Sequence, residues 1–271
     1  MKAALIYIGL LVILLFSLFP VYWMISFSVR ELSELLKSPP SLWPETITFE
    51  GFVTLFEFFD MTGYILNTLL VSLSATLITI VVATMGGYAL ARRTFRGRDA
   101  IGLMMLSSQM IPTILLVVPV ALIMQFLGLL DSHVGLVFAL VGITIPVGAW
   151  MMKGFIETVP RELEEAAVLD GCEPWELPVR VVLPLIVPGI VTVGMYTFIL
   201  AWGEFVFSFT LLRGEELRTL PSALASNFGT YRVDYEVLFP MAVTYMAPAL
   251  LVMSLFQRQL TRSMAEGALK G

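Results

Sequence analysis

Few residues in this chain could do chemistry, and several of them lie inside long apolar runs. Glu204 is the clearest case, set beside Trp202 and Gly203. An ionisable group within a membrane span costs roughly 2.5–3.5 kcal/mol on insertion scales, so it is a functional candidate by default. A carboxylate there can accept hydrogen bonds from the hydroxyls of a solute, and an indole can stack on a flat ring face. Equally, Glu204 can be an internal structural acid paired with a polar group on a neighbouring helix. Gln109 and Pro112 break the run at 100–127; such breaks are tolerated where backbone lines a cavity or packs on protein. Asn67 can bond across helices or line a route, and Lys153 can snorkel towards an interface. His133 stands alone in the turn Asp131-Ser132-His133, which makes no metal site. Met104, Met105, Met110 and Met124 read as packing or lipid-facing residues.

The elements that must hold these residues are apolar helices. Of 271 residues, 58% are hydrophobic and 14% charged, with a mean hydropathy of +0.89. A soluble domain carries about 25% charged residues. Read at a spanning length of about 20 residues, six stretches emerge: 3–29, 63–91, 100–127, 134–156, 184–212 and 237–260. The expected fold is therefore an all-α integral membrane protein forming a single domain over 1–271. The first stretch continues past Pro20 with no small-residue cleavage site, so it reads as a retained helix rather than a signal peptide. Cys172 is the only cysteine and excludes an intrachain disulfide. No basic stripe suited to nucleic acid is present.

Charge gives the orientation. Lys and Arg gather in short cytoplasmic loops, and Arg92, Arg93, Arg96 and Arg98 follow the second stretch. Lys2 precedes the first; Arg258, Arg262 and Lys270 follow the last. The segment 30–62 is acidic instead, with Glu31, Glu34, Glu45, Glu50, Glu57 and Asp60. Both termini and the loop 158–183 are thus expected in the cytoplasm. Trp43, Phe49, Phe52, Phe56, Phe58 and Phe59 make 30–62 either an interfacial helix or a packed outer cap.

The loop 158–183 is expected to form two short helices meeting at Gly171. Thr158 can cap the first and Pro160 suits its first turn, while Glu162, Glu164 and Glu165 complement the helix dipole. Gly171 fits the left-handed position that ends a helix, and Pro174 suits the opening of the second. Leu163, Ala166, Ala167 and Asp170 fall at i, i+3, i+4 and i+7, one face with small residues at its centre. Such a face can lie in a partner's groove or fold back on its own bundle.

The run Glu165-Ala166-Ala167-x-x-Asp170-Gly171, followed by Val181-x-Leu183-Pro184, resembles the cytoplasmic signature loop of ABC-importer permeases. Asn67-Thr68, Gly128-Leu129, Trp202-x-Glu204-Phe205 and the tail Gly267-Ala268-Leu269-Lys270-Gly271 are similar to the carbohydrate-uptake branch, in particular its smaller, six-span maltose-type subunit. The resemblance implies a permease that forms half of a sugar pathway in the cell (inner) membrane of a bacterium or archaeon. It implies as partners a second permease, two ATPases that bind the ATP and magnesium, and an extracytoplasmic solute-binding protein. Glu165, Ala166, Ala167, Asp170, Gly171, Leu183 and Pro184 would couple to an ATPase, and the tail 267–271 would insert between the two. This chain has no G-x-x-x-x-G-K-[ST] run to cradle a phosphate, so no catalytic residue or cofactor is expected in it.

Three positions depart from the family pattern: Cys172 for alanine, Gly203 for asparagine, and Pro178 for an aromatic or aliphatic residue. A proline past the first turn removes a hydrogen bond, so the second loop helix should be short or kinked. Two other readings stay open: the same machine with a polyamine, phosphate or amino acid as cargo, and a secondary transporter. Inverted repeats with matching helix breaks, the mark of the latter, are not visible.

Overall fold

In the computed structural model the backbone is described for residues 2–226 and 235–268, and side chains for 5–226 and 235–256. Thirteen helices, some a single turn, run in order: α1 (Lys2–Ser28), α2 (Leu32–Leu35), α3 (Glu50–Phe58), α4 (Met61–Arg92), α5 (Arg98–Ser108), α6 (Thr113–Phe126), α7 (His133–Glu157), α8 (Arg161–Leu169), α9 (Leu183–Leu185), α10 (Val187–Trp202), α11 (Val206–Leu211), α12 (Leu220–Ser226) and α13 (Tyr235–Ala268). No strand occurs among the described residues.

The centre of the bundle is α4, packed along α7 and α10. Lipid tails are as apolar as leucine, so helices in a membrane associate through close packing and polar contacts rather than hydrophobicity. The α4–α7 crossing uses both. A Cβ on Gly87 would lie 2.7 Å from Met152 Cβ and 2.8 Å from the Lys153 nitrogen, so only glycine permits this approach. Midway along, the hydroxyls of Thr79 and Thr144 meet at 2.7 Å, both buried. Thr68, Thr76 and Thr84 each donate to the carbonyl four residues back, which satisfies them within α4.

Four segments are individually long and apolar enough to cross a bilayer: Leu5–Ser28, Met61–Arg92, His133–Glu157 and Tyr235–Phe256. Two bent pairs bring the number to as many as six. In the first, Arg98–Ser108 and Thr113–Phe126 meet at 105°. The run at 100–127 is two helices, and the break falls where Gln109 and Pro112 sit. In the second, Pro178–Leu185 and Val187–Trp202 meet at 76°. The run at 184–212 is interrupted again at Gly203–Phe205, before α11. Length alone conceals the bend at Ile186, because apolar residues continue through it.

The segment 30–62 packs as a cap. Leu55 on α3 is fully buried, and Gly51 abuts the Glu236 carbonyl and Pro240 of α13. Phe49, Phe56 and Phe58 point away and are exposed. Arg30 is fully enclosed and ties the segment together. It donates to Glu34 (3.0 Å), to both the carbonyl and hydroxyl of Ser41, and to Ser26, and it lies over the Phe27 ring at 4.6 Å. Burial opposes ionisation of Glu34. The Ser41 hydroxyl, the Glu45 N–H and the Arg30 guanidinium together outweigh it and hold the carboxyl below its ordinary range.

Candidate functional site: the α8 loop and the helix breaks

The loop after α7 forms one regular helix, α8. Thr158 does not cap it: its hydroxyl donates back to the Phe155 carbonyl at 2.7 Å and closes α7, while Pro160 takes the N-cap position. The other end matches expectation. Gly171 has φ = 92°, its N–H bonds the Val168 carbonyl, and the Cys172 N–H bonds that of Ala167 at 2.9 Å. This pair of bonds is the Schellman arrangement that a left-handed glycine permits.

The second half of the loop is not the α-helix expected from Pro174. Residues 173–176 make a turn, and a π turn runs over Pro178–Val182, where the Leu183 N–H reaches the Pro178 carbonyl. Pro178 and Pro184 both lack an N–H, so the regular i→i−4 ladder cannot form through this stretch. Leu183 and Pro184 fall in α9, between the π turn and the 76° bend into α10.

The faces of α8 are unlike one another. Leu163, Ala166 and Asp170 are exposed and Ala167 half-buried, so the small-residue face turns away from the bundle. Leu169 (88% exposed) at the end of α8 and Trp175 (75%) in the turn beyond it are also open to the surroundings. Glu162, Glu165, Asp170 and Glu173 are exposed as well and bring negative charge. Cys172, partly shielded and next to Glu176, has its thiol pKa pushed up, first by burial and then by that carboxylate.

Glu164 faces the other way and is only 8% exposed. It accepts from the Tyr88 hydroxyl at 2.8 Å and from Arg92 Nε at 2.5 Å, both on α4. The second arm of Arg92 donates to the Val159 carbonyl at 2.7 Å. Arg161 Nη2 reaches the Ala91 carbonyl. Sequence reasoning read Glu164 only as a dipole complement and Arg92 only as an orienting charge. The pair is 72 residues apart, beyond any periodic signal.

The candidate pathway residues are held by separate segments, and no hydrogen bond joins them to one another among the described residues. Asn67 donates to the carbonyls of Glu216 and Arg218, a bond across elements. Gln109 is exposed at the end of α5, with its amide 3.4 Å from the Ile143 carbonyl. Glu204 accepts from the backbone N–H groups of Phe207 (2.7 Å) and Ser208 (3.0 Å), capping α11. Its carboxylate thus pairs with local backbone, not with a side chain on another span. Trp202 is 2% exposed, stacks on Phe198 and on Tyr245, and donates from Nε1 to the Tyr245 carbonyl. Neither ring face is open to a pyranose.

His133, Lys153 and Asp131 also have partners. His133 bonds the Leu217 carbonyl at 2.9 Å. Lys153 pairs with Glu157 and sits over Trp150. Asp131 accepts from the N–H groups of Arg213 and Gly214, which hold its carboxyl below the usual range. Among the described residues no group of three or more His, Cys, Asp or Glu side chains could hold a metal.

The described residues thus form a bundle of apolar helices with one short helix, bearing exposed acidic residues, that connects α7 to the bent stretch before α10. The chain belongs to the family of inner membrane components of binding-protein-dependent transport systems, matched over residues 80–266. It is thus the multi-pass, non-catalytic inner-membrane permease part of such a system. It is 31% identical to the diacetylchitobiose uptake system permease protein of Streptomyces coelicolor, over 99% of this chain and 95% of that one. With the sulfoquinovosyl glycerol transport system permease protein of Agrobacterium fabrum it shares 30% identity over 98% and 93%. Among solved structures it is similar in fold to a chain of a bacterial ABC transporter for import of the acidic polysaccharide alginate. That match has a TM-score of 0.82 over 95% of each chain, at 21% identity.

Proposed function

We propose that this chain forms half of the translocation pathway for a sugar or oligosaccharide in an ATP-driven importer. On this reading the whole chain, 1–271, is one permease domain of six spans, each bent pair counting as one, with both termini and α8 in the cytoplasm. The arginines at 92–98 support that orientation by the positive-inside rule. The relatives named for sugar cargoes, matched over nearly the full length, support the substrate class.

The observation that carries the mechanism is the exposed face of α8. Leu163, Ala166 and Ala167 would seat in a cleft of an ATPase, with Glu165 and Asp170 pairing basic groups at its rim. Gly171 would fix the helix end, and Leu183-Pro184 would pass its displacement to α10. The tail Gly267–Gly271 would enter between the two ATPases; Gly267 and Ala268 close α13, whereas Leu269, Lys270 and Gly271 lie outside the described residues. A second, related permease would complete the pore, and a solute-binding protein would deliver cargo from outside. Gln109 and Glu204 stand at the two helix breaks, where backbone can border a pathway; Asn67 and Trp202 hold the elements beside it. ATP and magnesium would be bound by the ATPases alone.

The test is ATP hydrolysis and uptake of labelled trehalose and diacetylchitobiose by the reconstituted assembly, comparing the native loop with Gly171→Pro and Glu165→Lys. Both variants should insert normally yet lose stimulated hydrolysis and uptake. Uptake that survives both without bound ATPase would sink the reading, and uptake of neither sugar by the native assembly would sink the substrate class.

A further inference from the structure

The side of α8 that faces its own bundle carries the inference. A helix that merely rested against the membrane end of the protein would need no buried charge. Here Glu164 is taken out of water and paired with Arg92, whose side chain is equally shielded (relative exposures 10% and 8%). The same carboxylate takes the Tyr88 hydroxyl on its second oxygen, and Arg92 reaches past it to the Val159 carbonyl just ahead of α8. The end of α4 therefore grips α8 at its middle and at its entry. Arg161 adds a bond from the first turn of α8 to the Ala91 carbonyl. The chain connections of α8 run elsewhere, to α7 on one side and through the π turn to α9 and α10 on the other.

We infer that Arg92, Tyr88 and Glu164 are positioning residues that join α8 to α4 as one rigid body, so that a displacement of α8 enters the bundle through α4. This rests on the proposed docking of α8 but goes beyond it, since α4 has no chain connection to the loop. Two features favour α4 as the receiver. Its Gly87 contact with Met152 and Lys153 and the Thr79–Thr144 bond leave little play against α7. By contrast, the covalent route to α10 passes a π turn and a 76° bend, which can flex. A push on α8 would then reach α4 and α7 directly, and α10 through its packing on them rather than through the bent chain.

The experiment uses the assembled transporter, with its partner subunits free of cysteine. Spin labels go on native Cys172, the only cysteine here, and on Thr94→Cys, exposed just beyond α4. Distance distributions are recorded without nucleotide and after trapping with magnesium ATP and vanadate. The expected result is one narrow distance, the same in both states. Glu164→Gln should broaden it severalfold and make it shift on trapping, while the ATPases still co-purify. If Glu164→Gln fails to assemble, Tyr88→Phe, which keeps the ion pair and removes one bond, decides the matter by a smaller broadening. A native distance that changes on trapping, or an unchanged narrow distance in the assembled variants, overturns the inference. Absence of ATP hydrolysis from the native assembly would instead bring down the importer reading, and this inference with it.

Discussion

Replacing Glu204 separates two roles that look alike from sequence. The carboxylate accepts the N–H groups of Phe207 and Ser208 at 2.7 and 3.0 Å. A hydrogen bond to a charged group contributes about 1.5–3 kcal/mol when buried. Glu204 is partly exposed, and loss of a helix cap runs to about 0.5–2 kcal/mol. The two ranges meet near 2 kcal/mol, roughly, for Glu204→Ala. At about 2–4 °C per kcal/mol for chains of this order of size, the melting midpoint should fall about 4–8 °C. Glu204→Gln keeps one acceptor oxygen and should lose about half as much. The assay is thermal unfolding of the detergent-solubilised assembly, followed by tryptophan fluorescence at one fixed scan rate because unfolding of such proteins is rarely reversible. If Glu204→Ala melts within about 1 °C of native yet abolishes uptake, the cap argument fails and Glu204 contacts the cargo.

Three further outcomes are expected. Arg30→Ala leaves the enclosed Glu34 carboxylate unpaired, which should cost about 3–5 kcal/mol; Arg30→Ala with Glu34→Ala should melt higher than Arg30→Ala alone. Glu34 is held below its ordinary value of 4.5, so its ionised form is favoured by folding. That contribution is complete above 4.5 and is lost as pH falls through the lowered value, so Glu34→Gln should flatten the acid limb of the melting-point profile. At the α4–α7 crossing, Gly87→Ala forces a Cβ to 2.7 Å from Met152 Cβ and should destabilise by about 1–2 kcal/mol, overpacking outweighing helix preference. Gly142→Ala meets nothing within 4 Å and should instead gain up to about 1 kcal/mol.

What could be read from sequence was whatever is local. Apolar run lengths marked the spans, and Gly171 marked the end of α8, because each depends on residues within one or two turns. Pro178 announced a disturbed loop but not its form, since the π turn depends on Pro184 as well. Trp202 and Glu204 announced a special point in the fifth stretch. Their roles were hidden because the partners that settle them, the Tyr245 carbonyl and the N–H groups of α11, appear only once the helix is broken. Gln109 and Pro112 marked the break in the third stretch, whereas the bend at Ile186 was hidden because the residues through it stay apolar. Glu164 was hidden for the opposite reason. Among three acids in one short helix nothing local distinguishes the one that turns inward, and only α4, 72 residues earlier, selects it.

The distribution of stiff and interrupted elements carries its own logic. The long, unbroken helices α4 and α7 are joined by a glycine contact and a buried hydroxyl pair, and α8 is fastened to them by an ion pair. The interrupted stretches, α5–α6 and α9–α11, contain the 105° and 76° bends. A machine that must open one face at a time needs a part that moves without deforming and a part that deforms without unfolding. Breaks at Gln109–Pro112 and Gly203–Phe205 provide the second only if their freed backbone groups are satisfied in place. The Gln109 N–H does bond the Leu106 carbonyl, and Glu204 covers the first N–H groups of α11. The Glu204 side chain is therefore explained first as what satisfies the backbone at its break, and any contact with cargo must be built on top of that duty; at the other break the backbone of Gln109 does this and leaves its side chain for another role.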